Sequence, residues 1–152
     1  MQLVPSRFEG RDRPGDFAWM IGQPEYADAL FVFNDNEEQF RAFRRDPHSA
    51  AGLSPGAGNA TIRPYRGAEP PRAAGIPTGR AGQGYATLSA DVRQAIDDAL
   101  EMIAELLASG AYERVVYSAA NDEGDLGTGI FEVADDVKRY IVSGLRTLVP
   151  AG

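Results

Sequence analysis

The feature that most constrains the fold is a continuous apolar run, Ala-Leu-Phe-Val-Phe, at residues 29–33. A strand that faces water on one side alternates apolar and polar residues, whereas this run contains no polar position. Continuous runs of this kind are typical of strands in sheets that are covered on both faces. The run therefore predicts a buried central strand with a layer of helices on each side.

Three other segments predict the elements around this strand. Residues 89–109 carry apolar side chains at helical spacing, with Ser89 able to cap the start and Gly110 able to end the helix. Residues 114–118 are short and rich in valine and tyrosine, which predicts a buried strand. A final helix is predicted over about residues 134–145.

The remaining assignments rest on weaker patterns. Asn36 is predicted to cap a short helix. Residues 17–21 are predicted to form a further strand. Residues 60–62 and 73–76 are predicted to form short strands within the segment 47–85, because a loop of about 35 residues without structure is uncommon in a compact domain. The order of elements predicts one domain over residues 1–152, a three-layer α/β/α fold with a central mixed sheet. Ligands are expected at the carboxyl ends of its strands.

The composition excludes several classes of function. The 152 residues include no cysteine and a single histidine, His48, so disulfides, thiol catalysis and metal sites rich in cysteine or histidine are excluded. The net charge of −7 argues against general binding of nucleic acids or anionic membranes. Without a long apolar stretch or a signal-peptide pattern, we expect a cytoplasmic protein with no membrane partner and no cofactor. The oligomeric state stays open.

A basic segment interrupts this acidic chain. Arg63, Arg66, Arg72 and Arg80 lie between residues 60 and 88, where Glu69 is the one acidic residue. Such a segment suits one small anionic ligand, although a solvated arginine-rich loop explains the charge equally well. If these arginines surround the mouth of a ligand site, at least one is expected to contact the ligand.

Two segments that combine small and polar residues lie where strands are expected to end. Asn34, Asp35 and Asn36 follow the apolar strand, and their short side chains can cap the next helix or bind ligand hydroxyls. Residues 54–60 are rich in glycine, so their backbone can approach a ligand closely and successive amides can form an anion-binding nest.

The third segment is Gly-Thr-Gly-Ile-Phe at residues 127–131, between the predicted strand and the last helix. Its glycines remove Cβ atoms where an anion would sit, and the following helix adds the positive end of its dipole. No Walker lysine follows, so a P-loop that hydrolyses ATP is excluded. Taken alone, the segment also suits a plain connection between a strand and a helix.

Together and in this order, the three segments resemble the macrodomain family, whose members bind ADP-ribose and related nucleotides derived from NAD. Residues 32–36 resemble a strand that ends in a Val-Asn-Ala-Ala-Asn-like run, and residues 56–60 match the first glycine-rich loop. Residues 127–131 match the second phosphate loop closely. The similarity covers about residues 28–145.

The resemblance implies that two glycine loops hold a diphosphate through backbone amides. The ligand-binding residues that it implies are Asn34, Asn36, Gly56, Gly58, Asn59, Ala60, Gly127, Thr128, Gly129, Ile130 and Phe131. Phe131 would cover the distal ribose, and Asp16 would be the nearest candidate for the adenine amino group. Some deglycosylating members carry a lysine in the first loop where this chain has Ala57, so chemistry that depends on this lysine is not expected.

Binding alone and catalysis both stay open at this point. In a hydrolase that acts on an ADP-ribosyl or phosphate ester, Asn34 would orient a water molecule and Asp35 would act as the base. The alternatives are a Rossmann-like domain that binds a mononucleotide or phosphosugar, and a protein-interaction module without a ligand.

Overall fold

The structure is a computed structural model that describes residues 1–129 and 131–151, and it shows a mixed α/β fold around a five-stranded sheet. The strands are β1 (Gln2–Arg7), β2 (Ala29–Asn36), β3 (Ala73–Arg80), β4 (Gln83–Gly84) and β5 (Arg114–Ala119). Their order across the sheet is β1-β5-β2-β3-β4. The first four strands in this order are parallel to one another, and the short β4 pairs antiparallel with β3.

Helical segments connect the strands. They are α1 (Phe17–Met20), α2 (Glu37–Arg45), α3 (Ala50–Leu53), α4 (Ala90–Ala108) and α5 (Asp135–Leu148), with two 3-10 helices at Pro24–Tyr26 and Gly58–Gly67. Among the described residues, no helix combines the length and the apolar character needed to span a bilayer.

Successive residues of β2 point to opposite faces of the sheet. Leu30 and Val32 belong to a hydrophobic cluster formed with α4 and α5. Phe31 and Phe33 belong to a second cluster, formed with α1 and the 3-10 helix Gly58–Gly67. Both faces of β2 are therefore covered, which confirms the prediction from its unbroken apolar run.

The strongly patterned elements are confirmed. The predicted strands at residues 29–33 and 114–118 are neighbours in one sheet, with Leu30 in register with Val115. The predicted helix at residues 89–109 is α4, followed by Gly110 at φ +77°. The Asn36 side chain accepts a hydrogen bond from the Gln39 amide at 2.8 Å and caps α2.

Two predicted strands are wrong. Residues 17–21 begin with α1, which buries Phe17 and Met20 three positions apart on one helical face. Residues 60–62 lie inside the 3-10 helix Gly58–Gly67. The short apolar runs at these sites are compatible with either a strand or a helix, and packing against the sheet decides for the helix.

Strand β1 is absent from the sequence-based predictions because Pro5 interrupts it. Proline cannot donate a ladder hydrogen bond, so a segment that contains it rarely forms a central strand. β1 is an edge strand that pairs with β5, and an edge position tolerates proline. With β1 included, the carboxyl ends of four parallel strands lie along the same side of the sheet.

Phe31→Ala should lower the free energy of unfolding by about 3–5 kcal/mol, because it removes a fully buried ring from the centre of the sheet. Phe8→Ala is the matched control, since the Phe8 side chain is 56% exposed and its loss should cost less than about 0.5 kcal/mol. Urea unfolding followed by circular dichroism measures both. Equal effects of the two substitutions would contradict the burial of β2.

Candidate ligand-binding cleft

The carboxyl ends of the four parallel strands open into a cleft with a volume of about 1690 Å³. The last residues of each strand line it: Ser6 and Arg7 of β1, Asn34, Asp35 and Asn36 of β2, Thr78, Gly79 and Arg80 of β3, and Ser118 and Ala119 of β5. This is the edge at which ligands bind in parallel α/β sheets.

The three predicted segments meet in this cleft. Besides the residues of β2, its lining includes Gly56, Gly58, Asn59, Ala60, Gly127, Thr128, Gly129 and Phe131. Ile130, which was also predicted to bind the ligand, lies outside the described residues.

Ser118, at the end of β5, joins the first glycine-rich segment, residues 54–60, to the second glycine-rich segment, residues 127–131. Its hydroxyl accepts a hydrogen bond from the Asn59 side-chain amide at 2.9 Å. Its main-chain carbonyl accepts a bond from the Gly127 amide at 3.0 Å. One residue thus fixes the spacing between the two segments.

Asn59 also holds α1 against the first glycine-rich segment. Its side-chain oxygen accepts from the Phe17 amide at 3.0 Å, and its side-chain nitrogen donates to the Gly15 carbonyl at 3.1 Å. Asn59 was predicted as a ligand contact, but all of these bonds are internal to the protein. The side chain positions the cleft wall, whereas the main chain of the same residue remains at the cleft.

The backbone of the first segment is closed by two hydrogen bonds. The Gly56 amide donates to the Ala60 carbonyl at 3.0 Å, and the Ala60 amide donates to the Ala57 carbonyl at 3.2 Å. The 3-10 helix begins at Gly58, so the amides of Gly58 and Asn59 precede its first internal bond. Gly58 has φ +58° and open space around it.

In the second glycine-rich segment, too, some backbone amides form hydrogen bonds within the protein and others donate to no described residue. The Gly127 amide is used by Ser118, and the Phe131 amide donates to the Thr128 carbonyl at 3.3 Å, closing a turn. Gly129 lies in this turn at φ +60°, and apart from its chain neighbours no described residue has an atom within 4 Å of the place where a Cβ would be. The amides of Thr128 and Gly129 donate no hydrogen bond to any other described residue.

The side chains of the asparagines at the end of β2 already form hydrogen bonds within the protein. The Asn34 side chain donates to the Gly127 carbonyl at 2.7 Å, which ties β2 to the second segment. The Asn36 side chain caps α2 and also donates to the Gln39 side chain at 2.7 Å. Asn36 is therefore a helix cap that lines the cleft, and a ligand hydroxyl would have to compete with Gln39 for it.

Asp35 is the centre of a buried ion cluster. Its Oδ1 accepts from Arg63 Nη2 at 2.9 Å and its Oδ2 accepts from Arg66 Nη1 at 2.6 Å. The Asp35 side chain has no exposed surface, and the two guanidinium groups are almost as deeply buried. Both oxygens are occupied, which argues against the role of Asp35 as a catalytic base.

The strand next to β2 leaves room for this cluster. Gly75 of β3 pairs with Phe33, and a Cβ built at Gly75 would lie 2.5 Å from Asp35 Oδ2 and 3.0 Å from Arg66 Nη1. Any side chain at this position would push the carboxylate and the guanidinium apart. The glycine is therefore required by the ion cluster.

The predicted basic segment does not surround the cleft. Arg66 is buried below it, and Arg72 donates to the main-chain carbonyls of Ala29 and Tyr26. Arg63 and Arg80 line the cleft, but Arg63 belongs to the ion cluster. Arg80 is half-exposed and pairs with Asp91. Its charge is therefore partly neutralised.

The lining of the cleft also includes side chains that lie outside the three predicted segments. Phe8 and Trp19 line it, together with the carboxylates of Asp12 and Asp16. Asp16 accepts a hydrogen bond from the Asp12 amide at 2.9 Å, and Phe8 is exposed. Aromatic and acidic groups together can receive a nucleobase through stacking and its amino group.

Sequence reasoning missed Ser118 as a member of the site. It is the last residue of the predicted strand at residues 114–118, and the end of a buried parallel strand was the available signal. Phe8 was missed because β1 was not predicted. The pairing of Asp35 with Arg63 and Arg66 has no local signal, since the partners are 28 and 31 residues away.

Comparisons with protein-family models, with curated proteins and with solved structures find no match for this chain.

Asp35→Asn should lower the free energy of unfolding by about 3–5 kcal/mol, because it leaves two buried guanidinium groups without a counter-charge. Asp122→Asn is the matched control. Asp122 forms an exposed pair with Arg7 at 3.5 Å, and its loss should cost less than about 1 kcal/mol. Urea unfolding compares the two variants, and a mild effect of Asp35→Asn would show that the cluster does not support the fold.

Proposed function

We propose that this protein binds ADP-ribose or a related NAD-derived nucleotide in the cleft at the strand ends. The resemblance of residues 127–131 to the second phosphate loop of macrodomains motivates the proposal. The cleft adds support, because the segments that carry this resemblance lie far apart in the chain and yet line one cavity.

One observation carries the proposal: both glycine-rich segments line the cleft with residues whose backbone amides donate to no described residue, beside a glycine at positive φ. Gly58 and Gly129 have φ values of +58° and +60°, and among the described residues beyond their chain neighbours neither has an atom within 4 Å of a Cβ position. The amides of Gly58, Asn59, Thr128 and Gly129 are therefore the expected donors to a diphosphate. Successive amides in such conformations form anion-binding concavities.

The amides of Gly56, Ala60 and Gly127 have a different role in this proposal. Each donates to a carbonyl of the protein, so these three bonds shape the two segments and do not bind the ligand. Oriented donors that are already fixed before the ligand arrives reduce the entropy cost of binding.

The overall charge of −7 does not oppose this function. Fixed charges more than about 8 Å from the ligand are screened at physiological ionic strength, so the local field decides. The N-terminus of the 3-10 helix Gly58–Gly67 lies at the cleft, and helix N-termini favour anions. Arg7, Arg11, Arg80 and Lys138 add positive side chains to the lining, against the carboxylates of Asp12, Asp16 and Glu38.

In this proposal, the resemblance assigns the two ends of the nucleotide. The resemblance places the adenine amino group at Asp16, and Phe8 and Trp19 line the cleft with Asp16. It places the distal ribose at Phe131, which is 45% exposed. We limit the proposal to binding, because the buried Asp35 cannot accept a proton from a water molecule in the cleft.

Gly129→Glu should weaken the binding of ADP-ribose by more than tenfold, equivalent to about 1.4 kcal/mol, because the new side chain fills the space of the anion and repels it. Gly110→Glu is the matched control. Gly110 also has positive φ and open surroundings, but it lies at the end of α4 and does not line the cleft. Isothermal titration calorimetry measures the affinities, and thermal melts measure the stabilities.

Both substitutions should cost a similar stability of about 1–2 kcal/mol, since each forces a side chain into the left-handed region. Only Gly129→Glu should lose ADP-ribose, and AMP should be affected much less because it lacks the second phosphate. A folded Gly129→Glu protein with wild-type affinity would disprove the phosphate role of this loop. A wild-type protein that binds no nucleotide at millimolar concentration would disprove the proposed function.

A further inference from the structure

The cleft is larger than a site for one small ligand needs to be. Its volume of about 1690 Å³ exceeds the range of about 300–1,000 Å³ that is typical of small-molecule sites. Part of it lies along the turn between β3 and β4, where Arg80, Gly82, Gln83 and Gly84 belong to the lining. The proposed function assigns no group of the ligand to this part, which we call the hairpin end.

Glu38 and Phe131 are both tied to the hairpin. The Glu38 carboxylate accepts a hydrogen bond from the Ala81 amide, in the turn, at 3.2 Å. On β4, a Cβ at Gly84 would collide with the carbonyl of Glu132, so the residue that follows Phe131 lies directly against this strand. Glu38 and Phe131 also line the cleft. The hairpin thus connects these two side chains along one wall of the cleft.

This wall is fixed by backbone hydrogen bonds. Ala81 and Gly82 have φ values of +52° and +77°, as the two central residues of a tight hairpin turn require. The Tyr85 amide donates to the Thr78 carbonyl at 2.8 Å, and the Ala134 amide donates to the Tyr85 carbonyl at 2.9 Å. The hairpin is therefore held both to its own strand and to the start of α5.

The charges leave one carboxylate without a cationic partner. The cationic side chains that line the cleft from β3 and α5 are already paired, Arg80 with Asp91 and Lys138 with Asp135 at 3.2 Å. Glu38 is exposed and forms no salt bridge with any residue that the structure describes. An unpaired carboxylate and an exposed aromatic ring along one wall favour a positively charged group.

We propose that the nucleotide in the cleft carries a cationic aromatic ring on its distal ribose, as intact NAD⁺ does, and that Glu38 selects for this ring. The inference rests on the proposed function, which places the distal ribose at Phe131. The nicotinamide ring of NAD⁺ is joined to this ribose and carries a positive charge. It can therefore stack on Phe131 and be attracted by Glu38.

Other groups fit the hairpin end less well. A further phosphate or a carboxylate would be repelled by Glu38. The neutral dihydronicotinamide ring of NADH could still stack on Phe131 but would lose the attraction to the carboxylate. ADP-ribose ends in a hydroxyl group and makes neither interaction. The cleft should therefore distinguish the oxidised from the reduced dinucleotide by the charge of the ring.

The test is a calorimetric titration of the full chain at low salt with ADP-ribose, NAD⁺ and NADH. NAD⁺ should bind at least as tightly as ADP-ribose and about threefold to tenfold more tightly than NADH, as expected for one exposed charge pair with a cation–π contact. The two dinucleotides have the same two phosphates and nearly the same shape, so the ratio of their affinities reports the charge of the ring.

Glu38→Gln should remove most of the preference for NAD⁺ over NADH. Glutamine keeps an oxygen that can accept from the Ala81 amide, so the substitution removes the charge and preserves the contact with the hairpin. ADP-ribose should bind this variant no more weakly than it binds the wild type, because the lining loses a charge that repels an anion.

Glu105→Gln makes the same chemical change at a control position. Glu105 is exposed on α4 and does not line the cleft, so this variant should keep the full preference for NAD⁺ over NADH. Thermal melts of both variants confirm that they fold.

The outcomes separate this inference from the proposed function. If ADP-ribose binds but NAD⁺ binds more weakly than ADP-ribose, or no more tightly than NADH, the role of the hairpin end is disproved and the nucleotide site stands. The same conclusion follows if Glu38→Gln and Glu105→Gln show equal preferences. If the wild type binds neither ADP-ribose nor NAD⁺, both proposals are disproved.

Discussion

The buried ion cluster of Asp35, Arg63 and Arg66 is the interaction on which the rest of the structure depends. A carboxylate without exposed surface is stable only when its charge is compensated and its oxygens are hydrogen-bonded. The remaining guanidinium donors reach the main-chain carbonyls of Gly52, Ser54 and Gln39. The cluster therefore joins β2, α2, α3 and the 3-10 helix into one unit, which fixes a segment rich in glycine and proline that has little core of its own.

The same ion cluster also positions the first glycine-rich segment of the cleft. Arg63 holds the Ser54 carbonyl at 2.9 Å, and Gly56 lies against the Arg63 guanidinium. Asn59 and Ser118 then tie the start of the 3-10 helix to the end of β5, and Ser118 also holds Gly127. Most of the side chains that set the geometry of the cleft form hydrogen bonds or ion pairs within the protein. The groups that remain for a ligand are backbone amides. This division explains why few of the motif residues have free side chains.

The sequence predicted those parts of the fold that have local patterns. The apolar run of β2, the periodicity of α4 and the capping residue Asn36 depend on neighbours in the chain, and the structure contains all three. The strands predicted at residues 17–21 and 60–62 are helical, because short apolar runs take the conformation that packing against the sheet imposes. β1 was not predicted, because it contains Pro5, a residue that an edge strand tolerates.

For the candidate site, the sequence predicted which segments would meet but not what their side chains do. Asn34, the glycine segments and Phe131 line one cleft because they lie at or beyond the carboxyl ends of parallel strands or precede a helix. The burial of Asp35 and the use of Arg72 to bind carbonyls depend on contacts over dozens of residues, which composition and spacing do not encode. Local charge counting therefore overestimated the basic character of the cleft.

In the proposed function, the backbone amides of two glycine-rich segments bind a diphosphate. The most direct measurement is a titration of the ¹⁵N-labelled protein with ADP-ribose, followed by the chemical shifts of its backbone amides. We expect the largest and saturable changes at Gly58, Asn59, Thr128 and Gly129, with the Gly110 amide unchanged. Saturable binding that leaves the four cleft amides unchanged would disprove their role as phosphate donors.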